Sequence, residues 1–73
     1  MRKLNLSEFR NLPFGSYILV RIIRGNGSYI EDIEEYEAVV VLDKIYYKDG
    51  KVDNKRTIEE YVHDGFARVY LLK

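Results

Sequence analysis

Glu35-Tyr36-Glu37-Ala38-Val39-Val40-Val41-Leu42-Asp43 is the stretch that decides the architecture. Tyr36, Ala38, Val40 and Leu42 alternate with Glu35, Glu37, Val39, Val41 and Asp43, the period of two by which a strand separates its faces, and the strand is read as strongest over Ala38 to Leu42 within the span Glu35 to Tyr47. Upstream, Ser16 to Arg24 is rich in β-branched residues, with Ile18, Val20 and Ile22 on one face and Tyr17, Leu19, Arg21 and Ile23 on the other. That pattern predicts a strand with one face fully buried and the other partly so. Gly25-Asn26-Gly27 then supplies the positive-φ positions of a tight turn. The run from Tyr29 to Glu37 is acidic and reads two ways, as an edge strand or as a loop leading into the next strand.

Further along, Lys48-Asp49-Gly50-Lys51 is a hairpin turn by its Asp-Gly pair, and a short strand around Lys51 to Arg56 returns beside it. Thr57-Ile58-Glu59-Glu60 has the form of a capping box, with Thr57 as N-cap and Glu60 at the third helical position. Gly65 is placed to end that helix in a left-handed conformation, so Ile58 to Asp64 is expected to bury Ile58, Tyr61 and Val62. Phe66 to Leu72 alternates and forms the last strand. At the other end, Ser7 is read as the cap of a short helix on which Leu6, Phe9 and Leu12 recur at helical spacing. Pro13 and Gly15 stop it.

The chain has 73 residues, of which 47% are apolar and 33% charged, the balance of a folded unit with a thin core. Glutamine and cysteine are absent and charges are plentiful, a tendency of thermophilic proteins that also suits a small domain without disulfides. The expectation is a mainly β single domain over 1–73, with 1–15 as a helical plug and 16–73 as a small, partly open barrel. Four or five short strands with a helical turn before the last resemble the SH3-like barrels in organisation. That likeness of architecture implies no function. An OB-like barrel and an α+β antiparallel sheet are the alternatives.

Net charge is zero, yet the charges are segregated. Residues 1–30 carry a net +4, 31–43 a net −6, 44–56 a net +3 and 57–73 a net −1. The acidic block Glu31, Asp32, Glu34, Glu35 and Glu37 is either a solvated surface paired with neighbouring Lys and Arg, or a face for a basic protein partner. Its spacing does not match an EF-hand loop. A second set, Arg21, Arg24, Lys48, Lys55 and Arg56 with Tyr46 and Tyr70, offers cations beside aromatic rings, the combination that holds single-stranded nucleic acid. Against that, a chain without Trp must build its core from Tyr and Phe, and Lys guards sheet edges.

Catalysis finds little support. His63 is the sole histidine and, with no cysteine, forms no zinc site; it reads as an exposed residue near a helix end. No Gly-x-Ser-x-Gly elbow surrounds Ser7, Ser16 or Ser28. Gly25-Asn26-Gly27 lacks the third glycine of a dinucleotide fingerprint, and the acids after it would repel a pyrophosphate. No apolar run reaches the roughly 18 residues of a membrane span, because Arg21 and Arg24 interrupt the best candidate. The Asn26-Gly27-Ser28 sequon is incidental without a secretion signal. The sequence therefore predicts a cytoplasmic, cofactor-free, metal-free interaction module. It would bind a protein partner through its acidic segment or a sheet edge, and a homodimer would enlarge its core. A nucleic-acid-binding barrel within a nucleoprotein and a structural accessory subunit are the other readings.

Overall fold

A computed structural model describes residues 1–25 and 31–72, with the backbone alone for Glu31 and Asp32. The elements in chain order are β1 (Arg2–Leu4), α1 (Leu6–Arg10), β2 (Tyr17–Gly25), β3 (Glu31–Val41), β4 (Lys44–Tyr47), β5 (Val52–Asn54), α2 (Lys55–His63) and β6 (Ala67–Leu71). The six strands of the described residues lie in one antiparallel sheet in the order β1-β6-β2-β3-β4-β5.

The alternation of β2 sets the core. Ile18 and Val20 stand opposite Ala38 and Tyr36 on β3, and opposite Leu71 and Val69 on β6. With Leu4, Val40 and Ile45 they make one apolar face, which is covered by Phe9 of α1 and Ile58 of α2. Both helices therefore sit on the same side of the sheet. Among the described residues the sheet is not closed on itself and β1 and β5 are its edges, so the expected partly open barrel is not borne out. The helix pair supplies the apolar cover that a barrel would take from its own opposite strands. What stands is the coarser expectation, a mainly β antiparallel fold with two short helices.

Several local expectations shift, the first being the strand read across Glu35 to Tyr47, which a turn at Leu42-Asp43 divides into β3 and β4 because Leu42 takes a left-handed φ of +55°. Residues Arg2–Leu4, expected within a helical plug, are a strand that pairs with β6. The cap of α1 is Asn5, not Ser7: its side chain accepts the Glu8 amide at 2.8 Å while Glu8 Oε1 accepts the Asn5 amide at 3.0 Å. Helix α2 starts two residues before Thr57, with Asn54 at its N-cap. Tertiary bonds override the local signal there, since the Lys55 amide donates to the Asp43 carbonyl at 2.8 Å. Gly65 does end α2 at φ +84°, with the Phe66 amide donating to the Tyr61 carbonyl at 2.8 Å. The Gly25-Asn26-Gly27 turn lies largely outside the described residues.

The central pair of strands is unequally covered on its two sides. Strand β3 has 11 residues and pairs with β2 from Glu31 opposite Gly25 to Val39 opposite Tyr17. Strand β4 covers only the other half, from Val41 opposite Lys44 to Ala38 opposite Tyr47. The ambiguous acidic run is thus strand from Glu31 onward, part of a two-stranded ribbon that outruns the rest of the sheet.

Candidate interaction surfaces: a half-paired strand, a tyrosine cleft and an open sheet face

The ladder geometry shows which groups of β3 are unmatched. The Val40 amide donates to the Ser16 carbonyl, and the Glu37 carbonyl accepts from the Lys48 amide, each at 2.9 Å. Even-numbered residues of β3 therefore bond towards β2 and odd-numbered ones towards the β4 side. Before Glu37 in the chain no strand lies on that side among the described residues, so the backbone groups of Ile33 and Glu35 face outward.

Next to this edge, on the helix-bearing side, is a cleft of about 460 Å³. Ile22, Arg24 and Tyr36 of the ribbon form one wall, Ile58 and Tyr61 of α2 another, and Tyr47, Lys51 and Asp53 of the β4–β5 hairpin the third. The Tyr36 and Tyr47 rings meet edge to face at 5.7 Å between centroids. Their hydroxyls are tied down, Tyr36 to Glu34 and Tyr47 to Asp53, the latter at 2.8 Å. Burial first, then the bond to Asp53, pushes the Tyr47 phenol well above its ordinary range. The bond donated to Glu34 raises the Tyr36 phenol as well. Both hydroxyls are thus bonded within the fold, and both phenols are held neutral.

The acidic set does not form one uniform face. Glu34 turns to the helix side and accepts from Tyr36. Glu35 and Glu37 point to the opposite, open face, where Glu35 pairs with Arg21 at 2.6 Å and Glu37 with Lys48 at 3.7 Å. The side chains of Glu31 and Asp32 are not among those described. The basic and aromatic set is divided more sharply. Arg21, Tyr46, Tyr70 and Lys48 belong to the open face or its rim, with the Arg21 guanidinium 4.8 Å from the centre of the Tyr70 ring. Arg24 lines the cleft on the other side. Lys55, only 8% exposed, donates to the Arg10 carbonyl at 2.7 Å and lies over the Phe9 ring, so it serves the core. Arg56 lies on α2 beside Glu60, in a shallow charged hollow with Arg10, Glu59 and His63.

Two features escape sequence reasoning: the half-covered β3 edge and the tyrosine cleft. The length of the alternating run from Ile33 to Val41 against the four residues of β4 is the available signal for the first. The cleft depends on where α2 lands, which no local pattern gives.

His63 is exposed and lies 3.2 Å from Asp64. Among the described residues no cluster of three or more His, Asp or Glu side chains is arranged to hold a metal ion, and no helix is long and apolar enough to cross a membrane. No family model, curated protein or solved structure matches this chain. The class that the structure defines is an open six-stranded antiparallel sheet with two short helices on one face.

Proposed function

We propose that this protein is a non-enzymatic interaction module that takes up an extended, basic segment of a partner protein as an additional strand beside the first half of β3. The observation that carries the reading is the half-paired β3, whose Ile33 and Glu35 present backbone donors and acceptors with no described strand beyond them. An incoming strand laid antiparallel there would continue the line of β4. Main-chain bonds would give affinity, and its alternate side chains would enter the tyrosine cleft, the division of labour of strand addition. On the cleft side, Glu34, Asp49 and Asp53 outnumber Arg24 and Lys51, an excess of negative charge that favours lysine or arginine in the guest. By contrast, the outer edges β1 and β5 have three residues each, which is short for a template.

The test uses a labelled peptide of alternating lysine and valine as guest, with an alternating glutamate–valine peptide as control. Ile33→Pro removes one outward amide without touching the ladder to β2, a position where an edge strand tolerates proline. Anisotropy titration is expected to show binding of the basic peptide only, weakened at least about tenfold by Ile33→Pro, the loss of about one hydrogen bond and of strand fit. Equal binding of both peptides would refute the charge preference. Unchanged binding to a folded Ile33→Pro variant would refute the edge.

A further inference from the structure

No described element covers the side of the sheet away from the helices, and its residues fall into cross-strand rows. Tyr17 of β2, Val39 of β3 and Tyr46 of β4 stand in register, so two tyrosine rings flank a valine at about 10 Å separation, two strand spacings. Tyr17 is 58% and Tyr46 44% exposed, and between them is a hollow of about 370 Å³ floored by Val39. The next row carries Lys3, Tyr70, Leu19 and Glu37, and the one after it Arg68, Arg21 and Glu35. Lys44 stands beyond the tyrosine row, opposite Val41.

Among the described side chains, the charge on this face is one-sided once its internal pairs are removed. Glu35 is engaged by Arg21 and Glu37 by Lys48. Lys3, Lys44 and Arg68 have no carboxylate partner among the described residues. Lys44 donates to the neutral Asn54 side chain.

We infer that this open face binds single-stranded nucleic acid, with bases stacked on Tyr17 and Tyr46 and phosphates held by Lys3, Lys44 and Arg68. Exposed rings on a sheet offer a flat apolar surface to unpaired bases, and surrounding cations neutralise the backbone between them. A duplex keeps its base faces stacked inside and gains only the charge contribution. This surface lies on the opposite side of the sheet from the tyrosine cleft and does not depend on strand addition at β3.

The experiment is fluorescence anisotropy of the whole chain with labelled oligo-dT, oligo-U and a duplex of equal length, over a series of salt concentrations. Both single strands are expected to bind more tightly than the duplex, with log K falling against log salt at a slope of about −2 for three phosphate contacts. Tyr17→Ala and Tyr46→Ala should each weaken binding about fivefold or more, because each removes one stacking platform. Lys3→Ser with Arg68→Ser should flatten the slope towards about −1. All these positions are on the surface, and circular dichroism verifies the fold of each variant. Flat titrations at low salt would overturn the inference, as would single-strand binding that both tyrosine variants leave unchanged. A dimer in analytical ultracentrifugation that Tyr46→Ala dissolves would give the face to a second copy and overturn it too.

Discussion

Leu42 carries a φ of +55° and is 77% exposed at the two-residue turn between β3 and β4. A left-handed leucine strains the backbone by about 1 kcal/mol, and here its side chain gains no burial in return. Leu42→Gly should therefore raise the unfolding free energy by about 1 kcal/mol, read as a shift of the urea midpoint without a change in slope. Lys55 works in the opposite sense. Its buried ammonium holds the last carbonyl of α1, so Lys55→Ala should cost about 2 kcal/mol through a lost charged hydrogen bond and lost packing of the stem. Lys55→Met, which keeps the stem, should cost less. Tyr47 gives stability a limit on the alkaline side. Its phenol is raised in the fold, so the neutral form is favoured and the contribution is complete below about pH 10, the unfolded value. It is lost as pH climbs from there through the folded pKa. Denaturant titrations across that range should show a falling unfolding free energy, and Tyr47→Phe should flatten the fall.

At the scale of elements, strands are easier to read than helix starts. β2 and β6 follow their alternation, because a buried sheet face forces a period of two on the sequence. The Asp49-Gly50 turn is similarly local, with Gly50 at φ +96°. Both helix N-termini depart from their sequence signals for a common reason. Ser7 and Thr57 have capping chemistry, but Asn5 wins by standing where β1 releases the chain, and α2 begins where β5 ends. Asn5→Ala should accordingly destabilise the protein by about 1 kcal/mol in thermal or urea unfolding, whereas Ser7→Ala should change little. The acidic run is legible as charge but not as strand, since its mixture of glutamate with Ile33 and Tyr36 resembles a loop until β2 lies beside it. For the surfaces, alternation gives the sides of strand residues but not of those on the helices. Odd and even positions on β2 separate Arg21 from Arg24, whereas only the landing of α2 takes Lys55 into the core while Lys48 stays on the rim.

For the whole molecule, the decisive fact is how two short helices stand in for the second half of a barrel. Phe9 of α1 is fully buried against the sheet, and no described element covers the other face. That division frees one side for surface chemistry while making the core depend on a few large side chains. The half-covered β3 then has a consequence for how the molecule reports on itself. Amides of Glu34 and Tyr36 are tied to β2, while those of Ile33 and Glu35 meet solvent, so deuterium uptake along this segment should alternate slow and fast from one residue to the next. A guest strand would slow the fast set and leave the slow set almost unchanged. The loss of that two-residue rhythm would register occupancy of the edge from inside the protein, with no label on the guest.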